Sequence, residues 1–310
     1  MQDNKAQDFS VLSGQEEAVD VGITQGTGEL EHRSGRPEDG IGKAGRSLFE
    51  TYGEYRNSRL IGFWTLLKRE ITRFLSLPNQ TLVPPFISAL LYIAIFGYSI
   101  GSRISDIEGV SYMQYIFPGL MMMGVINSSY MNTSSSLFMS KFQGNIADIL
   151  TSPLSYFEMV TAIVLGGMVR GLIVGIITLA AGLLLMDIEI NNYFIVTFFI
   201  VFVSIVFAQL GILTGLWAEK FEHLGIFQTY LITPLVYLGG VFYSTSMLPP
   251  FWANVSMFNP IVYMVNGLRY GMLGVGDINL GTAVITTLLS SIVLGSANLY
   301  LFKIGYKLRT

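Results

Sequence analysis

The sequence predicts an all-α polytopic membrane protein with six transmembrane helices. A surface helix precedes the first span, and a re-entrant element lies between the fifth and sixth. Three observations carry this fold class. Of the 310 residues, 51% are hydrophobic and 13% charged, where a soluble domain carries roughly 25% charged residues. Long uncharged runs recur, each able to supply the roughly 20 apolar residues that cross a hydrocarbon core as a helix. Nearly all basic side chains outside the N-terminal tail crowd the loops of one side.

The elements follow in order. Residues 1–58 are rich in Gly, Asp, Glu, Gln and Ser and lack apolar side chains at helical spacing. Such a segment buries too little surface to offset its ordering entropy, so it reads as a disordered acidic tail or a docking tail. It has no apolar core of a signal peptide. From Leu60, an apolar face of Leu60, Phe63, Trp64, Leu67, Ile71, Phe74 and Leu75 opposes Lys68, Arg69, Glu70 and Arg73. This predicts an amphipathic interfacial helix, or else a polar extension of the first span. Pro78 predicts a bend after it.

Spans are expected over about 82–101, 117–138, 157–186, 192–216, 225–243 and 279–302. With six crossings both termini share a side. Arg56, Arg59, Lys68, Arg69, Arg73, Lys141, Lys220, Lys303, Lys307 and Arg309 fall there, against Arg103 and Arg269 opposite. The positive-inside rule makes that side cytoplasmic. Glycines four apart, Gly167, Gly171 and Gly175, then Gly211 and Gly215, then Gly97 and Gly101, predict close helix packing within the subunit or between subunits. The second span carries Asn127, Ser128, Ser129, Asn132, Thr133, Ser134, Ser135 and Ser136. These need partners inside the bilayer, as interhelical bonds or as the lining of a pathway. Arg170 is the one charge well inside a span. It either snorkels or faces a cavity.

Between His223 and Arg269 there is no charged side chain. That stretch outruns one span, yet Pro249, Pro250 and Pro260 break any second continuous helix. The charge count leaves no room for another crossing. A segment of Leu248, Pro249, Pro250, Phe251, Trp252, Asn259, Pro260 and Arg269 is therefore expected to dip into the outer leaflet and return, with Arg269 near the outer headgroups.

The sequence also excludes chemistries. It has no cysteine, and only His32 and His223 as imidazoles, so no metal centre or cysteine nucleophile is expected. No catalytic residue and no cofactor is expected either. "EDGIGKAGRS" carries Pro37 where a P-loop needs its first Gly and Ala44 where it needs Ser or Thr. HExxH and GxSxG are absent. The net charge of −3 gives no reason to expect nucleic acid. Acids sit only at span ends, whereas a proton-coupled carrier places them within spans. What remains is a pathway without its own energy source, which needs a cytoplasmic surface that another protein can move. Met139 to Pro153 is the candidate, with Phe142, Ile146, Ile149 and Leu150 on one face beside Lys141, Gln143, Asn145 and Asp148. The alternative is a plain connecting loop.

The chain resembles the permease subunits of bacterial ABC-2 transporters. The motifs are "QTLVPPFISALLYIAIFG" entering the first span, "GSRI" after it, "YMQYIFPGL" before the second, "SKFQGNI" in the following loop, and "TPLVYLGGVFYSTSMLPPFW" with "NPIVYMVNGLRYG". Leu248-Pro249, Asn259-Pro260 and Arg269 match the family's signature. The resemblance runs from about Leu60 to the C-terminus and leaves the tail outside. It implies an exporter subunit of the inner membrane that pairs with a second copy among the membrane lipids, above separate ABC ATPase subunits. It also implies a coupling helix within Met139–Pro153 and a re-entrant helical hairpin at Leu248–Gly271. An ABC importer or flippase subunit is the alternative within this framework, and a stand-alone secondary carrier the alternative outside it.

Overall fold

The computed structural model of the chain describes residues 58–100, 106–107, 109–186 and 188–308, and only the backbone of 97–100. The acidic tail, Arg56, Gly101, Arg103, Glu108, Asp187 and Arg309 lie outside these residues, as do the side-chain surroundings of Gly97. Among the described residues the structure is helical, without a β-strand.

Helix α1 covers 58–75. A short turn, α2 (Pro78–Thr81), leads into α3 (Val83–Tyr92), which continues as a π-helical stretch, Ile93–Ile100. Helix α4 (Tyr112–Phe142) starts on a capping box in which Ser111 and Gln114 satisfy each other's backbone N–H groups. Helix α5 (Ile146–Thr151) is followed by α6 (Tyr156–Leu185), which has a second capping box of Ser155 and Glu158. Helix α7 (Tyr193–Trp217) is capped by Asn192. A short α8 (Phe221–Phe227), a π turn at Gln228–Ile232 and α9 (Thr233–Tyr237) follow in one run. Helices α10 (Pro250–Met257), α11 (Pro260–Leu273) and α12 (Leu280–Ile304) complete the chain. Gly274 and Gly305 end α11 and α12 in the left-handed conformation, at φ 75° and 69°.

Four stretches among the described residues are long and apolar enough to cross a membrane: Pro78–Phe96, α6, α7 and α12. They match the first, third, fourth and sixth expected spans within a few residues. The second and fifth do not reach that measure. Helix α4 has 31 residues, about 46 Å of helix, but serines, asparagines and a threonine dilute its apolar content. The fifth run ends at Tyr237, short of the expected 243, and is built of two α-helical segments joined by a π turn.

Helix α4 is the axis of the bundle, enclosed by α6, α7 and α11. Small residues on its neighbours make this possible. A side chain at Gly171 would collide with Ser129 and Ser204, and one at Gly211 with Thr133 and the Tyr130 carbonyl. The glycine stripes of α6 and α7 thus serve packing within the subunit. At Gly119 the chain of residue 241 crosses so closely that no Cβ fits.

Contacts sort the elements between two ends. At one end Lys141 donates to the carbonyls of Gly215, Leu216 and Ala218 (3.3, 2.7 and 3.1 Å), and Lys307 pairs with Glu219 at 2.5 Å. The C-termini of α4, α7 and α12 meet there, together with α1 and α5. At the other end the backbone N–H groups of Asn191 and Asn192 donate to the carbonyls of Met272 and Gly271 (2.9 and 2.8 Å). The start of α7 and the end of α11 meet there.

Candidate functional site

Three regions hold the residues to which the sequence points. The first is α5 and the turn before it. Gly144 takes φ 77° in that turn, which lets the chain reverse out of α4. Ile146 and Ile149 are buried, in one cluster with Leu66, Leu67, Met159 and Ile163, and Leu150 packs against it. The expected shared face with Phe142 therefore does not form. Phe142 ends α4, 75% exposed and stacked on Phe138. Phe142, Gln143, Asn145 and Asp148 point outward, with Ala147 and Thr151. Lys141 faces inward, where its ammonium caps the last carbonyls of α7. The apolar side chains fasten α5 to its own bundle, and polar groups plus one phenylalanine form its outer surface.

The second region lies along α4. Its polar residues divide by role. Thr133 Oγ1 donates to the Ala208 carbonyl at 2.8 Å, tying α4 to α7. Asn132 and Ser136 meet α1: Arg73 donates to Asn132 Oδ1 at 3.0 Å, and Ser136 Oγ donates to Glu70 at 2.5 Å. Asn127 and Ser128 instead line a cavity of about 350 Å³ bounded by α3, α4 and α9. Ser88, Tyr92, Thr178 and Gln228 share its wall, and Gln228 Nε2 donates to Asn127 Oδ1 at 3.3 Å. The interhelical bonds occur at Asn132, Thr133 and Ser136, and Asn127 and Ser128 face a cavity. Arg170 is outside that wall. Its guanidinium reaches the Thr81 carbonyl at 3.4 Å, and its enclosed Nε has no partner among the described residues.

Glu70 corrects the expected pattern of α1. It was placed on the exposed polar side, yet it is wholly buried between Arg69 (2.9 Å), Arg73 (3.5 Å) and Ser136. Gly166 of α6 admits its Cβ, where any larger residue would hold the helices apart. Helix α1 therefore has two apolar faces. Leu66, Leu67 and Phe74 are buried, while Leu60, Ile61, Trp64 and Leu75 are exposed.

The third region is Leu248 to Gly271. The prolines open helices here as well as closing them. Pro250 and Pro260 occupy first helical positions, where a missing N–H costs nothing. Asn259 caps α11, accepting from the Ile261 N–H at 3.0 Å and donating to the Leu235 carbonyl at 2.6 Å. The two arms differ. In α10, Phe251 and Trp252 are exposed, whereas α11 is buried along most of its length. Fourteen residues of α11 make about 21 Å of helix, short of the 30 Å core.

Arg269 was expected beside lipid headgroups. The structure encloses it in protein at 0% exposure, 4.0 Å over the Tyr115 ring. It donates to the Tyr115 carbonyl (3.1 Å), the Gly240 carbonyl (2.7 Å) and Asn266 Oδ1 (3.4 Å). Asp277, which the sequence offered only as a span-end acid, completes the network. Its carboxylate accepts from Tyr115 Oη, Ser244 Oγ, Thr245 Oγ1 and the Thr245 N–H (3.3, 2.8, 2.7 and 2.6 Å). Its spacing from Arg269 in a loop after a buried helix was the only signal available.

Residues 61–273 match the ABC-2 type transporter family. The chain belongs to that family. The inner membrane transport permease YadH of Escherichia coli (strain K12) is 46% identical to the permease over 224 residues, 71% of this chain and 88% of the relative. Nodulation protein J of Neorhizobium galegae is 23% identical over 235 residues, 72% and 86% of the two chains. The protein of the same name from Rhizobium meliloti (strain 1021) is 22% identical over 203 residues, 62% and 74%. The chain is thus a membrane permease subunit of an ABC transporter. The matched segment includes α5, the α3/α4/α9 cavity and Arg269, and stops before Asp277 and α12.

Proposed function

We propose that the permease exports a substrate across the inner membrane, driven by a separate ABC ATPase that grips the outer surface of α5. The carrying observation is the division of α5 into an anchored face and an outward one. A coupling element has to move with its own spans, which Ile146 and Ile149 provide, and has to offer a surface to its partner, which Phe142, Gln143, Asn145 and Asp148 provide. In this reading six helices cross, with α4 and the α8–α9 run as the second and fifth. Both termini are cytoplasmic, and α10–α11 forms the re-entrant hairpin on the outer side. The short α11 and its buried polar network support that placement, since broken backbone survives at membrane depth when protein surrounds it. The cavity beside α3 and α9 has the exposed Tyr237 in its wall, and Phe86 and Leu91 of α3 are exposed as well. A second copy facing it would enclose a path.

The experiment is co-purification with the ATPase subunit, the two expressed together. Phe142→Ala combined with Asp148→Arg should insert normally and lose most of the bound ATPase. Ile146→Asp should instead lower the yield of folded permease, because an unpaired buried charge costs about 3–5 kcal/mol. Full ATPase recovery by the double variant would remove α5 from the docking surface.

A further inference from the structure

Beside α1 lie two adjoining grooves of opposite character. One, about 510 Å³, runs between α1 and the last turns of α4 and is lined by Lys68, Arg69, Arg73, Ser136, Ser140 and Gln143. Three cations border it and one carboxylate, Glu70, lies behind them, already shared between Arg69 and Arg73. Lys68 makes no ion pair among the described residues, and Arg73 keeps its enclosed Nε without an acceptor. The site therefore holds a surplus of positive charge and unspent donors. The second groove, about 430 Å³, is walled by Leu60, Ile61, Trp64 and Ile71. Thr65 and Lys68 border both.

We propose that this pair of grooves binds an anionic phospholipid, its phosphate among Lys68, Arg69 and Arg73 and an acyl chain along Leu60, Ile61, Trp64 and Ile71. A phosphate offers the acceptor oxygens that Lys68 lacks. The apolar wall accounts for a tail, which a free anion does not have. Gln143 and Asn145 of the proposed coupling surface also line the charged groove. Lipid bound there would brace α1 against the turn that leads into α5. This inference rests on the surface position of α1, and the test below separates the two.

The chain has three tryptophans, Trp64, Trp217 and Trp252. Trp217→Phe and Trp252→Phe leave Trp64 as the single reporter. The full-length permease is reconstituted into phosphatidylcholine vesicles holding equal fractions of brominated phosphatidylglycerol or brominated phosphatidylcholine. Brominated phosphatidylglycerol should quench Trp64 more strongly. Lys68→Gln should cut that preference about two- to fivefold, the size expected for one surface cation, and leave quenching by brominated phosphatidylcholine unchanged. Equal quenching by the two lipids in the parent overturns the site. Absence of quenching by either overturns the surface position of α1 and the site with it. A Trp64 signal that saturates with inorganic phosphate at constant ionic strength, without a phosphatidylglycerol preference, assigns the groove to a free anion and overturns the lipid assignment.

Discussion

Arg269 carries a full charge into a packed interior, and its geometry explains why the position takes arginine. Its donors serve Tyr115, Gly240 and Asn266, while its plane lies over the Tyr115 ring. These partners come from α4, the 238–249 linker and α11, so one side chain ties the linker and α11 to the axial helix. A lysine ammonium lacks the planar fork and the stacking surface. Arg269→Ala leaves buried carbonyls unpaired and should cost about 3–5 kcal/mol, the usual scale for breaking a buried charged contact. Arg269→Lys should recover only part of it. Thermal unfolding of the purified permease measures both, and an unchanged midpoint for the alanine variant would deny the network its structural role. Arg73 shows the same economy nearer the surface. Burial lowers its pKa from the usual guanidinium value, and Glu70 opposes that shift while Arg69 adds to it.

At the scale of elements, α4 decides the architecture. Its hydroxyls and amides weaken it as an apolar span, yet they are the groups that bind α1 and α7 and line the cavity. Glycines on the neighbours complete the fit. Gly211→Ala should destabilise the permease, by about 1–3 kcal/mol for an overpacked core. Gly225→Ala, in α8 with open space around it, should be neutral or gain up to about 1 kcal/mol of helix propensity. Equal unfolding midpoints for the two variants would contradict the packing account. The sequence made much of this legible. Uncharged length located α6, α7 and α12 to within a few residues, because bilayer thickness fixes helix length. The small-residue spacing of Gly167, Gly171 and Gly175 pointed to close packing. What escaped was direction within an amphipathic helix. In α5 the pattern of Phe142, Ile146 and Ile149 gives a shared face, but Gly144 breaks the helix between them and only the isoleucines turn inward. In α1 the composition cannot distinguish an apolar face against lipid from one against protein, so the burial of Glu70 was out of reach.

At the scale of the molecule, α5 and the end of α11 lie at opposite ends of one bundle. The described contacts divide that way: Lys141 and Lys307 join the α5 end, whereas Asn192, Tyr115 and Arg269 join the other. Exposed apolar residues along α6 and α12, among them Ile176, Leu184, Leu289 and Ile292, form an apolar wall between the ends. If the proposed crossing pattern holds, an ATPase in the cytoplasm reaches α5 and never the hairpin. The chain is free of cysteine, so single cysteines report this directly. Asn254→Cys and Glu189→Cys mark the α11 end, and Asp148→Cys and Glu222→Cys the α5 end. Each is treated in intact spheroplasts with a membrane-impermeant maleimide, and again after permeabilisation. Asn254 and Glu189 should label in intact cells, with Asp148 and Glu222 labelling only once the membrane is opened. Labelling of Asp148 from outside, or of Asn254 and Glu189 from opposite sides, would contradict the six-crossing, α5-coupled permease.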